Sequence, residues 1–261
     1  MKRLLAVFLM SMLMAPCMYQ AWAWGGKGHR IVAQVAYDNL TNKARKQVDA
    51  VLGKHGMIYL STWPDEIKSD TIYSTSHTCH YQDLNGGMSD SAVVATLTDY
   101  PKEGGDLFMA LDSLEVVLRK NGACHDALVF YVHFYADRFC PMHVAHLDDK
   151  GGNSVRFKWF GQNTNLHSVW DGKILDSKGF SYSEYATYLH DVYGKEKKSI
   201  QKMTDEQTLL YTYHITDAIY QYHETWNGNA YHYVYHWLDE AERQMYMAGV
   251  KLAQSLNAIY K

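Results

Sequence analysis

The sequence predicts a mainly α-helical protein, a single multi-helix domain with long loops and at most a short β-hairpin. Apolar residues recur at three- and four-residue spacing in several stretches, and the longest stretch runs from Leu238 to Ile259. Only residues 77–83 and 155–160 have the alternating or β-branched pattern of extended chain. No internal repeat and no low-complexity linker divides the chain, so its length suits one domain.

The first helix is predicted where apolar residues recur at helical spacing, namely Ile31, Val32, Val35, Ala36 and Leu40. Thr41 then has the residue type of an N-cap, and Gly53 has that of a stop, so a second helix is predicted between them. Further along, the pattern predicts a turn or short helix at 62–68 and a long surface loop at 84–103. An amphipathic helix is predicted at 105–120 and a central helix at about 125–139. A turn-rich loop at 147–153, a helix or tight turn at 165–171 and long helices in the last third follow.

The first 23 residues have the pattern of a secretory signal peptide. Two basic residues follow the initiator methionine, Leu4–Met14 is apolar, and Ala21–Ala23 is a small-residue cleavage signal. The apolar run is too short for a transmembrane anchor. We therefore expect residues 1–23 to be removed, residues 24–261 to form the mature domain, and the protein to be secreted or periplasmic.

The charge balance argues against a general polyanion-binding protein. The chain has 25 Lys and Arg residues and 28 Asp and Glu residues. Loss of Lys2 and Arg3 with the leader would leave 23 against 28, a net charge of −5. If the protein acts on nucleic acid, bound divalent metals would have to supply the local positive charge.

Three cysteines follow the leader, namely Cys79, Cys124 and Cys140. They allow at most one intramolecular disulfide, so the chain is not a disulfide-rich scaffold. The residue pattern does not choose a pairing, and it leaves buried free thiols as the alternative.

The most informative segment is residues 133–143, which holds three potential metal ligands. His133 and Asp137 are four residues apart on the central helix and therefore project from one face. Pro141 ends the helix, and the turn should bring His143 back beside it. Imidazole and carboxylate both suit zinc.

A second pair with the same spacing, His167 and Asp171, indicates that the metal ligands form a cluster. One such pair alone is most often a surface ion pair of small energetic effect. Two pairs together with His143 and the upstream His29, Asp65 and His80 give eight oxygen or nitrogen ligands. A single catalytic zinc takes about three protein ligands, so eight suit several ions with a shared carboxylate. After cleavage Trp24 would be the N-terminal residue, and its α-amino group and carbonyl oxygen are a possible further ligand.

These residues resemble the secreted zinc-dependent single-strand-specific nucleases and 3′-nucleotidases of the S-one/P-one type. The resemblance covers residues 24–171, and beyond them only helicity matches. Its motifs, in chain order, are Trp24-Gly-Gly-x-Gly-His29, Trp63-Pro-Asp65-x-x-Lys68, His80-Tyr81-x-Asp83, His133-x-x-x-Asp137-x-x-x-Pro-x-His143, Gly151-Gly152-Asn153 and Asn165-Leu-His167-Ser-x-Trp-Asp171.

The resemblance implies three zinc ions with Asp137 as the bridging carboxylate. The implied ligand sets are Asp65, His80, His133 and Asp137 for one ion, Trp24, His29 and Asp137 for a second, and His143, His167 and Asp171 for the third. Asp65 and Asp137 are accordingly expected at the catalytic centre. A metal-bound hydroxide would attack phosphorus, and the products would carry 5′-phosphates.

The resemblance also implies the residues that bind substrate. Lys68 would stabilise a phosphate, and Tyr81 would stack on an unpaired base. Asp83 and Asn153 would contact the base edge, where Gly151 lets the backbone approach. Taken singly, each of these five residues is as well explained by a structural role.

We therefore expect a monomeric hydrolase that acts on single-stranded DNA or RNA and on 3′-mononucleotides, without stable membrane association. The alternative enzyme is a zinc-dependent phospholipase C-like phosphodiesterase. Two features argue against this alternative. The interval from Trp24 to His29 is five residues, which is short as in the nucleases, and the final ligand is Asp171, where the phospholipases use Glu. A third hypothesis is a zinc-storing protein, which would bind metal without turnover.

Overall fold

The computed structural model describes residues 24–122 and 124–261, so the expected signal peptide lies outside the described residues. The α-helices are α1 (Gly26–Asp38), α2 (Asn42–Leu52), α3 (Gly56–Tyr59), α4 (Trp63–Glu66), α5 (Asp90–Ala95), α6 (Leu107–Asn121), α7 (His125–Asp137), α8 (Leu166–Ser168), α9 (Ile174–Asp176), α10 (Tyr182–Tyr193), α11 (Lys197–Lys202), α12 (Asp205–Thr225) and α13 (Ala230–Ile259). Strands β1 (Arg156–Trp159) and β2 (Gln162–Asn165) pair antiparallel, with Arg156 opposite Asn165.

Within residues 24–122 and 124–261, five 3₁₀-helical segments and one π-helical segment link these elements. The 3₁₀ segments are Leu60–Thr62, Thr71–His80, Pro141–His143, Leu147–Asp149 and Gly194–Glu196, and Val169–Lys173 is π-helical. In the described part of the chain the β structure is the two-stranded hairpin alone. The predicted mainly α fold with a short hairpin is therefore confirmed. Across the same residues, no helix is both long and apolar enough to cross a bilayer.

Helix α7 lies at the centre of the core. From Ala127 to Asp137 every side chain except Phe130 is buried, so the helix is enclosed on all sides. It packs against α1, α6 and α13, which surround it. A helix enclosed in this way holds its polar residues in fixed positions, and His133 and Asp137 lie in its last two turns.

The packing of α1 on α13 is unusually close. A Cβ atom at Gly249 on α13 would lie 2.5 Å from Val35 Cγ1 on α1, so no larger residue fits without movement. The same helix α1 carries His29 in its first turns. The position of His29 therefore depends on the distance between two long helices.

The predicted helix signals are confirmed where they are local. The Thr41 hydroxyl accepts a hydrogen bond from the Ala44 amide at 3.2 Å and caps α2. Gly53 follows the last residue of that helix with φ = +78°, a conformation that glycine adopts without strain.

Two local predictions were wrong. Residues 77–80 are not extended but belong to the 3₁₀-helical segment Thr71–His80, which the Asp70 carboxylate caps by accepting from the Ile72 amide at 2.9 Å. Extended backbone begins only at Tyr81. Within the predicted loop 84–103, Ser89 caps the short helix α5, which packs on α12. In both places a capping side chain that accepts a backbone hydrogen bond stabilises a helical segment, although the sequence pattern predicts extended chain or loop there.

The three cysteines of the described chain are free thiols. Cys140 is buried, Cys79 is partly buried and Cys124 is exposed. The sequence left open whether the cysteines form one disulfide or stay free, and in the structure all three of these thiols are free.

Candidate metal centre

Eight predicted ligand residues converge on one buried region. His29 comes from α1, Asp65 from α4, His80 from the end of a 3₁₀ segment, His133 and Asp137 from α7, His143 from the next 3₁₀ turn, His167 from α8, and Asp171 from the π-helical segment. All eight are less than 9% exposed. Residues more than a hundred positions apart in the chain therefore share one site.

Asp137 is at the middle of this region, and its two oxygens face different partners. Oδ2 lies 3.4 Å from His133 Nε2 and 3.3 Å from His80 Nδ1. Oδ1 lies 3.3 Å from His29 Nε2 and 3.7 Å from His143 Nδ1. A carboxylate that presents one oxygen to each of two ligand groups has the geometry of a bridging ligand.

Asp65 completes the group around His133. Asp65 Oδ1 is 3.7 Å from His133 Nε2 and 3.8 Å from His80 Nδ1. His80, His133 and Asp137 each offer a ligand atom, and these atoms lie within 4.8 Å of one another. The same holds for His29, Asp65 and His133. Several metal positions can therefore be built from overlapping ligand sets.

A further group lies beyond His143. His143 Nε2 is 3.8 Å from Asp171 Oδ1, and the rings of His143 and His167 are 5.1 Å apart. The thiol of Cys140 also lies within 4.8 Å of ligand atoms of His143 and Asp171. Cys140 lies within the 133–143 segment, but the resemblance does not include it among the metal ligands.

Backbone carbonyls orient three of the imidazoles. The Nδ1 atoms of His133, His143 and His167 lie 2.7, 2.6 and 2.7 Å from the carbonyl oxygens of Ser61, His80 and Gly151. Donation from Nδ1–H to a carbonyl leaves Nε2 of each ring as the lone-pair nitrogen. No sequence signal marked Ser61, because its contribution is a main-chain oxygen.

Unpaired buried atoms show that this residue set fits a bound cation. Both oxygens of Asp137, both ring nitrogens of His29, Asp171 Oδ1, His143 Nε2 and Asp65 Oδ2 have no hydrogen-bond partner. Buried carboxylates without partners are strongly unfavourable. Imidazole and carboxylate ligands together suit zinc better than magnesium or calcium, which prefer oxygen ligands alone.

Burial also sets the protonation of the ligands. It lowers the pKa of His29, His80 and His133 well below the ordinary value, and it lowers the pKa of His143 and His167 to about 4. These imidazoles are therefore in the neutral form that binds metal. Burial, followed by repulsion from Asp65, raises the pKa of Asp137, so a nearby cation is needed to keep that carboxylate ionised.

The backbone of Trp24 lies beside the ligands. Its indole Nε1–H donates to the Ala136 carbonyl at 3.0 Å, and its own carbonyl accepts from the His29 amide at 3.3 Å. The next amide, that of Gly25, donates to the Asp171 carbonyl. A Cβ at Gly25 would lie 3.2 Å from that same oxygen, which explains a glycine there. Metal binding by the Trp24 amine stays a prediction.

An open cleft of about 440 Å³ borders the ligands. The predicted substrate residues Lys68, Tyr81, Asp83 and Asn153 line it together with His143 and His167. Gly151 lies next to it, with φ = +63° and no room for a side chain, because a Cβ would be 2.9 Å from Asp83 Oδ1. Lys150 also lines the cleft and was not singled out from the sequence.

Asp83 is a buried carboxylate in this cleft, and we expect Asp83→Asn to stabilise the protein at high pH. Burial, then repulsion from Asp149, raises the pKa of Asp83 to about 8. An acid with a raised folded-state pKa loses stability as the pH rises from about 4 to about 8. Thermal unfolding at matched metal content should show the variant above the parent at pH 9 and equal to it near pH 4.

The exposed carboxylate of Asp99 provides the control, since Asp99→Asn should change stability at neither pH. An Asp83→Asn variant that is destabilised at pH 9 would show that the ionised carboxylate has a stabilising partner.

Comparison with known proteins gives one family and several relatives. A family model described as S1/P1 Nuclease matches residues 24–261. Endonuclease 3 of Arabidopsis thaliana is 25% identical over 270 residues, which cover 92% of this chain and 90% of that protein. Endonuclease 4 of the same plant is 28% identical, over 60% of this chain and 57% of that protein. Nuclease S1 of Aspergillus oryzae is 28% identical, over 72% of this chain and 67% of that protein.

Proposed function

The chain belongs to the S1/P1 nuclease family, and from this premise we propose that it is a zinc-dependent nuclease and 3′-nucleotidase. The proposed substrates are single-stranded DNA or RNA, cut to 5′-phosphate products, and 3′-mononucleotides. The resemblance predicted from the sequence is confirmed, and with it the enzyme class, a hydrolase acting on ester bonds. The single observation that carries the finer proposal is Asp137, whose two oxygens face different imidazoles, His29 at Oδ1 and His80 and His133 at Oδ2.

The chain's own residues define what the centre does. Asp65, His80, His133 and Asp137 would hold one zinc, Trp24, His29 and Asp137 a second, and His143, His167 and Asp171 a third. Bound zinc would supply a hydroxide nucleophile at neutral pH and positive charge toward phosphate oxygens. Because the imidazoles are neutral and the carboxylates few, the loaded pocket would be positive inside an acidic protein.

Tyr81 and Asp83 support the preference for single strands. Both line the cleft beside His143 and His167, and the Tyr81 ring is only partly buried. An aromatic face of this kind stacks on an unpaired base, which a duplex hides in its own stack. Asp83 would contact the base edge. The side-chain amide of Asn153, which also lines the cleft, donates to the Lys150 carbonyl oxygen at 2.9 Å.

Lys68 has a role that mutation can separate from metal binding. Its ammonium lies 2.5 Å from Asp65 Oδ1 and lines the cleft, so it can reach a phosphate oxygen of a substrate held at the ligands. We expect Lys68→Gln to reduce kcat/KM for single-stranded DNA by about 10–100-fold, as for loss of a charge-assisted hydrogen bond. The zinc content should be unchanged. Lys54→Gln, at an exposed lysine, is the control.

The test of the proposed function uses the secreted protein without tags. Intact mass should place its first residue at Trp24, and metal analysis should give about three zinc ions per chain. This protein should hydrolyse single-stranded DNA far faster than duplex DNA and release phosphate from 3′-AMP. Hydrolysis of a phosphatidylcholine emulsion without nuclease activity would support the phospholipase alternative, and bound zinc without any turnover would support a storage protein.

A further inference from the structure

We propose that the sulfur of Cys140 is a further zinc ligand, at the metal position to which His143 and Asp171 contribute. None of the metal ligands that the resemblance implies is a cysteine. The inference rests on the proposed function, because it concerns the same zinc centre. A thiolate ligand favours zinc over magnesium and calcium more strongly than imidazole and carboxylate alone.

Cys140 belongs to a compact group of potential ligand atoms. Its Sγ, one ring nitrogen of His143 and one carboxylate oxygen of Asp171 all lie within 4.8 Å of one another. Zinc lies about 2.0–2.3 Å from its ligands, so an ion among these three atoms reaches all of them after small side-chain rotations. Cys140 is completely buried, so the group is enclosed by protein.

Two atoms beside the sulfur are buried without a hydrogen-bond partner. His143 is 3% exposed and Asp171 is 4% exposed, and His143 Nε2 and Asp171 Oδ1 are both unpaired. These two atoms lie 3.8 Å apart. Nδ1 of His143 is 2.6 Å from the His80 carbonyl oxygen, which leaves Nε2 for a metal. Buried polar atoms left unpaired in this way point to a bound cation.

The local backbone fixes the interval between Cys140 and His143. Cys140 precedes the 3₁₀ turn Pro141–His143, and the His143 amide donates to the Cys140 carbonyl at 2.9 Å. The Cys140 amide in turn donates to the Asp137 carbonyl at 2.8 Å. Two residues separate Cys140 from His143, and this short interval is common between ligand pairs of structural zinc sites.

His167 would complete the ligand set of this ion. Its ring lies 5.1 Å from that of His143. Cys140, His143, His167 and Asp171 would then be four protein ligands, which is the number of a closed tetrahedral zinc site. On coordination the sulfur exchanges its bond to hydrogen for a bond to zinc, and the proton passes to solvent. This ion should therefore be released most slowly of the predicted zinc ions.

Cys79 and Cys124 are the matched controls. Cys79 also stands next to a predicted ligand, His80, but its thiol donates to the Thr75 carbonyl at 3.7 Å. Cys124 is exposed at the start of α7. Among the residues that the structure describes, neither cysteine belongs to a group of potential metal ligands. Their replacement should therefore leave the metal centre intact.

Cobalt substitution tests the ligand directly. A thiolate bound to cobalt(II) adds an intense sulfur-to-cobalt charge-transfer band in the near ultraviolet to the visible d–d bands of the ion. The secreted chain, stripped with a chelator and reloaded with cobalt, should show this band. Cys79→Ala/Cys124→Ala should keep the band, and Cys140→Ser should lose it. X-ray absorption of the zinc-loaded parent should show a zinc–sulfur distance of about 2.3 Å.

Cys140→Ser should also weaken one metal position. Competition with a chromophoric chelator should show the affinity for about one zinc ion lowered at least about tenfold, and the slowest phase of zinc release should accelerate. Cys79→Ala/Cys124→Ala should match the parent in both measurements. Circular dichroism of the metal-free proteins checks that Cys140→Ser is folded.

Several outcomes would overturn the assignment of Cys140. These are cobalt binding without the charge-transfer band in the parent, loss of the band in Cys79→Ala/Cys124→Ala, and persistence of the band in Cys140→Ser. The first two apply even if Cys140→Ser fails to fold. The band without hydrolysis of single-stranded DNA by the zinc-loaded parent would count against the proposed function alone. Absence of any bound metal would overturn both.

Discussion

Replacement of Asp137 by Asn is expected to reduce kcat/KM for single-stranded DNA at least about a thousandfold, equivalent to about 4 kcal/mol of transition-state stabilisation. The reason is that the two oxygens of Asp137 face different ligand groups, so one substitution weakens two metal positions. Metal analysis should show a loss of about two zinc ions, measured on the same preparation as the kinetics.

His29→Ala is the matched comparison for this variant. His29 approaches only one oxygen of Asp137, at 3.3 Å, and it contributes to one predicted metal position. Its loss should therefore cost less activity and about one zinc ion. The metal-free Asp137→Asn protein should be at least as stable as the metal-free parent, because burial already disfavours the charge of Asp137. If the two variants lose equal activity, Asp137 does not bridge.

Removal of the metals is expected to abolish activity and to destabilise the fold. Binding at a concentration a thousandfold above the dissociation constant contributes about 4 kcal/mol per site. For a domain of this size each kcal/mol shifts the melting temperature by about 2–4 °C, so loss of one such site should lower it by about 8–16 °C. Differential scanning calorimetry before and after chelation measures the change.

Add-back of metal identifies the ion. Zinc should restore both activity and the melting temperature, whereas magnesium or calcium should restore neither, because five of the eight predicted side-chain ligands are imidazoles. Full activity in the presence of the chelator would contradict a metal-dependent mechanism. The Lys68→Gln variant should show the same melting shift as the parent, since Lys68 is not a predicted ligand.

The sequence predicted those parts of the fold that depend on local signals. The helix periods, the Thr41 cap and the Gly53 stop each need only a few neighbouring residues, and the structure confirms them. Helix α5 and the 3₁₀ segment Thr71–His80 were missed because single capping side chains, Ser89 and Asp70, decide them. A single side-chain-to-backbone hydrogen bond of this kind can determine the local structure without changing the pattern of polar and apolar residues.

The candidate site was predictable as a set of residues but not as an arrangement. The His-x-x-x-Asp spacing placed His133 and Asp137 on one helix face, which the structure bears out. That Asp171 would come from a π-helical segment and that the Ser61 carbonyl would orient His133 depend on tertiary packing. Contacts between main-chain atoms and distant side chains leave no pattern in a single sequence.

The close packing of Gly249 against Val35 has a consequence for evolution. A larger residue at 249 would push α1 away from α13 and carry His29 out of line with Asp137, although no atom of Gly249 belongs to the site. Selection on the metal centre should therefore act on the combined volume of these two positions. Among relatives, we expect a larger residue at one position to be accompanied by a smaller residue at the other, which an alignment of the family can test.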